Sequence, residues 1–142
     1  MKIEPQSPTF TIPVGVFYSQ GRFLVARREK GAHSRGTWEF PGGKQRPGES
    51  LDEALRREVE EETGLDFRKA FLLHREEYSY PDRTVILNFF LCLEARNEPQ
   101  GREGQQLRWV TLEELEQLEI PPGNRGFLKV LQEQFGDVGN GF

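Results

Sequence analysis

The sequence predicts an α/β or α+β domain organised around a mixed sheet. Three observations carry that expectation. Short β-branched and aromatic runs alternate with segments that carry helix-capping signals. One run, Val85-Ile86-Leu87-Asn88-Phe89-Phe90-Leu91, is nearly all apolar, as a central strand covered on both faces must be. The chain has 142 residues, which at roughly 100–200 residues per domain makes a single domain with a real core.

The elements follow in order. Residues 1–8 are expected to be a short flexible lead, and 9–142 the domain. Thr9 to Tyr18 is rich in β-branched and aromatic residues, and Pro13 makes it an edge or interrupted strand. Ser19-Gln20-Gly21 is a turn and Phe23 to Arg28 a second strand, so 9–28 is expected to form a hairpin. Residues 29–48 carry five glycines, two prolines and no periodicity, the mark of a long functional loop. Ser50 to Thr63 is the clearest helix: Ser50 and Glu53 form a capping box, and Gly64 stands where a C′ glycine belongs. Residues 67–80 and 83–95 are two strands around Tyr80-Pro81-Asp82. Residues 107–110 make a short strand, and Thr111 with Glu114 caps a helix reaching about Leu118. Pro121-Pro122-Gly123 breaks the chain before a last helix from Phe127 to Phe135.

Composition excludes several classes. No apolar run approaches the roughly 18 residues of a membrane-spanning helix. Met1 to Pro13 lacks an apolar signal core, so a cytoplasmic location is expected. Cys92 is the only cysteine, which leaves no intrachain disulfide and no multi-cysteine zinc site. Net charge is −4, against a duplex nucleic acid partner, although a bound metal lets an acidic protein hold phosphate.

The first helix carries its acids in an unusual place. At about 100° per residue, with Leu51 at 0°, Ala54 and Leu55 define the apolar arc. Glu58 then falls at about 340°, Glu62 at about 20° and Glu61 at about 280°, continuing the buried face. Glu58 repels Glu61 and Glu62 at i,i+3 and i,i+4 spacing. Glu60, Glu61 and Glu62 also crowd the negative end of the helix dipole. Arg57 alone cannot neutralise this group. Hard oxygen donors on a rigid helix suit Mg²⁺ or Mn²⁺; a solvated acidic face is the alternative.

The surrounding residues bear on that choice. Gly43 to Leu65 has the pattern G-x5-E-x7-R-E-U-x-E-E-x-G-U, where U is aliphatic. This resembles the Nudix box at every specified position. The family's fold, an α/β/α sandwich with the box as loop–helix–loop, is therefore implied. So is its chemistry, divalent-metal hydrolysis of a nucleoside diphosphate linked to another group. On that resemblance Glu58, Glu61 and Glu62 are the metal ligands, with the carbonyl of Gly42 or Gly43 as a further donor. Arg57 orients the glutamates and Glu49 supports the site. The general base is Glu58 or a glutamate outside the box. Lys44 is either a phosphate contact or a solvated loop lysine.

The similarity extends from about Val14 to Leu131. His33 and Trp38-Glu39-Phe40-Pro41-Gly42-Gly43-Lys44 are similar to the approach loop of the MutT-type branch, as are Glu77 to Arg83, Glu98 to Gln105, and Pro121-Pro122-Gly123-Asn124. The implied substrate is a nucleoside triphosphate, 8-oxo-dGTP or dGTP, cut to monophosphate and pyrophosphate in nucleotide-pool sanitation. CTP, dCTP or a general dNTP is the alternative within the family; a non-catalytic nucleotide-binding module is the alternative outside it. The implied nucleotide contacts are Arg28, His33, Glu39, Lys44, Tyr80, Arg83 and Asn124. Asn124 stands where the branch has the amide that reads an oxidised purine, and is otherwise a turn asparagine. Tyr80 departs from the branch's phenylalanine. Glu103 aligns with a loop glutamate that joins the metal site. Trp38, Phe89 and Phe90 are expected in the core, His74 to be structural or exposed, and Cys92 to be an inert buried residue. The sequence assigns no oligomeric state.

Overall fold

The computed structural model describes residues 7–29 and 35–136. Among the described residues there are ten strands and helices: β1 Thr9–Val16, β2 Tyr18–Ser19, β3 Arg22–Arg27, β4 Trp38–Glu39, α1 Leu51–Thr63, β5 Asp66–Tyr80, β6 Arg83–Arg96, β7 Leu107–Val110, α2 Leu112–Gln117 and α3 Arg125–Phe135. A single 3-10 turn, Pro122–Asn124, precedes α3. Residues 1–6 of the expected flexible lead lie outside the described residues.

The mixed sheet is β1-β6-β5, with β6 in the centre as its apolar sequence demands. β5 and β6 form the long antiparallel hairpin expected around residues 80–82. β1 runs parallel to β6, pairing Thr9 with Thr84 through Val16 with Leu91. The expected hairpin over 9–28 is therefore corrected. Only Tyr18–Ser19 turns back on β3, through Gln20 and Gly21, both at positive φ (52° and 78°). The chain leaves one sheet at Phe17 and enters the other. Parallel pairing is non-local and carries no turn signal, so sequence adjacency misassigned it.

Pro13 sits on the ladder's edge, as expected, and that edge is covered. The glycine loop lies along β1: Gly15 N–H donates to Pro41 O at 2.7 Å, and Gln45 N–H to Thr11 O at 2.9 Å. A Cβ on Gly42 would collide with Pro13 O, so only glycine lets the loop approach this closely. β3 centres the second sheet, with β2 and β4 on one side and β7 on the other.

Two cores lie on opposite faces. Val14, Val16, Phe23, Val25, Leu87 and Phe89 pack with Leu115 of α2 and Phe127 and Leu131 of α3. Phe17, Leu24, Phe67 and Cys92 pack with Leu55 and Val59 of α1. Alternation along β3 sends Phe23 and Val25 to one core and Leu24 to the other. This is the α/β/α layering that the resemblance implied. Phe89 stacks on Phe127 with centroids 3.9 Å apart, confirming a core role. Phe90 is half-buried on the α1 side, and Trp38, also half-buried, lies under the Arg108 guanidinium. His74 is structural: it stacks on Phe127 and bonds Glu76 at 2.8 Å. Burial pushes the Cys92 thiol up to about 12, which leaves it inert at neutral pH.

Candidate active site

The helix α1 begins as its sequence dictates. Ser50 Oγ accepts Glu53 N–H at 3.1 Å, and Glu53 Oε1 accepts Ser50 N–H at 3.0 Å. It ends at Gly64 with φ 76°. Ala54, Leu55, Val59 and Thr63 are buried, so the apolar face runs the length of the helix. Glu58 and Glu62 are half-buried beside it, as the angles predict. Glu61 is not: its side chain is 44% exposed. The angular arc from about 300° to about 120° leaves Glu61 just outside its margin. Glu61 is thus a correction to the expected buried triad.

Arg57 is the hub of this surface. Its Nε and Nη2 hold Glu49 at 2.6 and 2.8 Å, a two-pronged pair. Its Nη1 donates to Glu58 at 2.7 Å and Glu61 at 3.3 Å, and Nη2 also reaches Lys44 O at 3.1 Å. The orienting role expected for Arg57 and the supporting role for Glu49 have this geometry behind them. Arg57 and the Arg46 N–H hold the Glu49 carboxyl down to about 2. Arg57 is itself raised by its carboxylate partners.

Glu62 faces the other way. Its Oε2 accepts Gly42 N–H at 2.9 Å. Burial pushes its carboxyl up to about 9; the Gly42 N–H opposes this, and the charges of Glu58, Glu39 and Glu103 add to it. Glu58 abuts Gly43, where a Cβ would overlap its carboxylate. The two adjacent glycines of the loop therefore seat the two inward carboxylates of the helix.

Two clefts meet here. One, about 220 Å³, is lined by Arg28, Glu39, Gly42, Glu62, Glu103 and Gln105 among others. The second, about 210 Å³, is lined by Gly43, Lys44, Tyr80, Arg83 and Asn124, and shares Arg28, Glu39 and Gly42 with the first. Arg28 and Glu39 make a two-pronged ion pair at 3.0 and 3.1 Å on that shared wall. Asn124 is 7% exposed, at the end of the 3-10 turn. The Lys44 ammonium rests 4.0 Å over the Phe10 ring. Arg83 lies over the Tyr80 ring at 5.6 Å, and its buried Nε has no hydrogen-bond partner. Every expected site residue but Arg57, Glu49, Glu58, Glu61 and His33 lines one of these clefts. The first four flank them; His33 lies outside the described residues.

Among the described residues, no three His, Cys, Asp or Glu side chains already converge as a metal cluster. Glu58 and Glu61 lean on Arg57, and Glu62 on the Gly42 N–H. The donor chemistry still fits a hard divalent cation. All the acids are oxygen donors, and Glu62 is half-buried among the like charges of Glu58, Glu39 and Glu103.

Sequence reasoning missed the partner of the helix's C-terminal end. The β6–β7 loop supplies it, through Gln100, Arg102 and Gln105. Its only local signal was the pair Gly101 and Gly104 around Glu103.

Carboxylates gathered against a glycine loop, with guanidinium groups on the flanks, suit a hydrolase that handles phosphate through a divalent metal. The chain belongs to the NUDIX family, whose domain matches residues 9–131. It is a hydrolase of phosphoric anhydrides, and the family generally needs a divalent metal. The chain is 35% identical to the 8-oxo-dGTP diphosphatase of Escherichia coli K12 over 122 residues, 85% of this chain and 95% of that protein. It is 38% identical to the 8-oxo-dGTP diphosphatase of Haemophilus influenzae over 104 residues, 73% of this chain and 76% of that protein. The fold matches a MutT structure described for Aliivibrio salmonicida and Vibrio cholerae at TM-score 0.75 and 31% identity, covering 89% of this chain and 99% of that one. It matches the MutT protein of Methanosarcina mazei Go1 at TM-score 0.81 and 27% identity, covering 92% and 98%. Among the described residues, no helix is long and apolar enough to cross a membrane.

Proposed function

We propose that the protein hydrolyses 8-oxo-dGTP, and dGTP less well, to the monophosphate and pyrophosphate with Mg²⁺, with Mn²⁺ as substitute. The observation that carries this reading is the joining of the two clefts. An acid-lined cleft for the diphosphate shares a wall with one that presents an aromatic ring, an unpaired guanidinium nitrogen and a buried amide. The diphosphatase relatives support the same substrate.

Glu58, Glu61, Glu62 and Glu103 would hold the cation, with the Gly42 or Gly43 carbonyl beside them. A bound divalent cation neutralises phosphate oxygens and makes a water more acidic. The chain's own groups do the rest. Arg28, clamped by Glu39, offers fixed positive charge to the phosphates between the clefts. Lys44 adds a second cation by leaving Phe10. Glu58 or Glu103 accepts the proton of the attacking water. The Tyr80 ring stacks on the base and Arg83 donates to it. The Asn124 amide offers both a donor and an acceptor to a purine lactam edge. The partner is this small nucleotide, and the place of action is the cytoplasm, where the nucleotide pool is cleansed before polymerisation.

The direct test is a product-resolved assay of 8-oxo-dGTP, dGTP, dCTP and CTP with Mg²⁺ and an EDTA control. The expected result is monophosphate plus pyrophosphate, with 8-oxo-dGTP showing much the highest kcat/KM. Preference for a cytidine nucleotide refutes the base assignment. A second variant isolates the amide. Asn124→Ala is expected to lower kcat/KM for 8-oxo-dGTP by about tenfold to a hundredfold, and for dGTP by less. An unchanged ratio between the two removes Asn124 from base reading.

A further inference from the structure

The loop between β6 and β7 folds back onto the C-terminal end of α1. The last carbonyls of a helix find no partner within it. Here Gln100 N–H donates to Thr63 O at 2.9 Å and Arg102 N–H to Glu62 O at 3.0 Å. The Arg102 guanidinium adds a donor to Glu60 O at 3.5 Å and an ion pair with the Glu60 carboxylate at 3.6 Å. It also packs against Gly64. A cation at this end opposes the helix dipole and the run of glutamates. These contacts hold the loop to the helix.

Gln105 makes a different connection. Its Nε2 donates to Glu62 O at 2.9 Å, and its Oε1 accepts Glu103 N–H at 2.8 Å. Only one orientation of the amide satisfies both partners, because reversal sets donor on donor and acceptor on acceptor. One side chain thus ties the main chain of Glu62 to the main chain of Glu103. The carboxylates of these two residues line the same cleft. They repel each other across it, so their separation depends on what fixes the two backbones. Gly101 keeps the turn tight, since a Cβ there would collide with Gln105 O.

We propose that Gln105 is a positioning residue for the hydrolysis: its amide sets the spacing of the Glu62 and Glu103 carboxylates across the metal- and phosphate-binding cleft. The inference rests on the role proposed above for Glu103. Folding needs this side chain little, because Glu62 O keeps the Arg102 N–H when Gln105 is shortened.

The test compares Gln105→Ala, Glu103→Gln, the double variant and Arg102→Ala. The readouts are kcat, KM, Tm and the Kd of Mn²⁺ by electron paramagnetic resonance. Gln105→Ala is expected to lower kcat about tenfold with KM nearly unchanged, and to weaken Mn²⁺ binding several-fold. In the Glu103→Gln background it is expected to cost nothing further. Arg102→Ala loosens the same loop without touching Gln105, so it lowers Tm while leaving kcat within about twofold. Additive losses in the double variant overturn the proposal. So does a loss of kcat in Arg102→Ala equal to that in Gln105→Ala, which marks the loop as merely structural. If Glu103→Gln alone changes neither kcat nor Mn²⁺ binding, the reading of Glu103 fails and the proposal with it.

Discussion

Replacing Glu62 by glutamine is expected to cut kcat by about a thousandfold while raising the Tm of the metal-free protein. Both effects come from one carboxylate. Glu62 is held by the Gly42 N–H and half-buried among Glu58, Glu39 and Glu103. Its carboxyl is raised from 4.5 to about 9. A folded state that binds a proton more tightly than the unfolded one loses stability as pH rises between those two values. At pH 8 without metal, wild type therefore carries a penalty on the order of 2 kcal/mol once relaxation of the side chain is allowed for. Glutamine keeps the acceptor for Gly42 and removes the penalty. Its Tm is expected about 5 °C above wild type at pH 8, and equal to it at pH 4. Adding Mg²⁺ reverses the order, because only wild type gains a cation for its charge. Differential scanning at the two pH values, with and without Mg²⁺, reads all of this. Full activity in Glu62→Gln removes it from the metal site; an unchanged Tm at pH 8 shows that its burial has no energetic cost.

Arg57→Lys is expected to be the next most damaging change, lowering kcat by roughly a hundredfold. Lysine keeps the charge but not the fork. Arg57 uses that fork to hold Glu49 through two nitrogens while reaching Glu58, Glu61 and Lys44 O. A single ammonium cannot bridge this fan of acceptors, so Glu58 loses its fixed direction beside Gly43. Stability falls as well, with a pH signature. The Glu49 carboxyl is held down to about 2 from 4.5, chiefly by Arg57. Its contribution is present above pH 4.5 and is lost as pH falls toward 2. The Tm gap between wild type and Arg57→Lys should close over that interval. A gap that persists below pH 3 assigns the loss to packing rather than to the ion pair. A kcat within twofold of wild type refutes the orienting role.

The local elements were largely legible. Both capping boxes form as their sequences state, and Gly64 takes the left-handed conformation at the helix end. The apolar run 85–91 lies within the central strand. Helical spacing turns Glu58 and Glu62 inward as expected, whereas Glu61, on the arc's margin, is exposed. What escaped was non-local. The parallel pairing of β1 with β6 replaced an expected hairpin. A further cation at the helix's C-terminal end, Arg102, comes from far along the chain and pairs with Glu60. The sequence allows Lys44 to be a phosphate contact or a solvated lysine, and the structure rests it on Phe10.

By itself the sequence determined the helix, its caps, its acids and the glycine loop before it. Each depends on residues within a few positions of one another, where spacing alone sets geometry. It also determined the family, since the box is a pattern of fixed local spacings. Only the tertiary structure decided what the inward acids face. That outcome depends on backbone groups brought in from β1, the glycine loop and the β6–β7 loop. Burial and like charge then make Glu62 a reluctant carboxylate, a property of the assembled neighbourhood that no local spacing encodes.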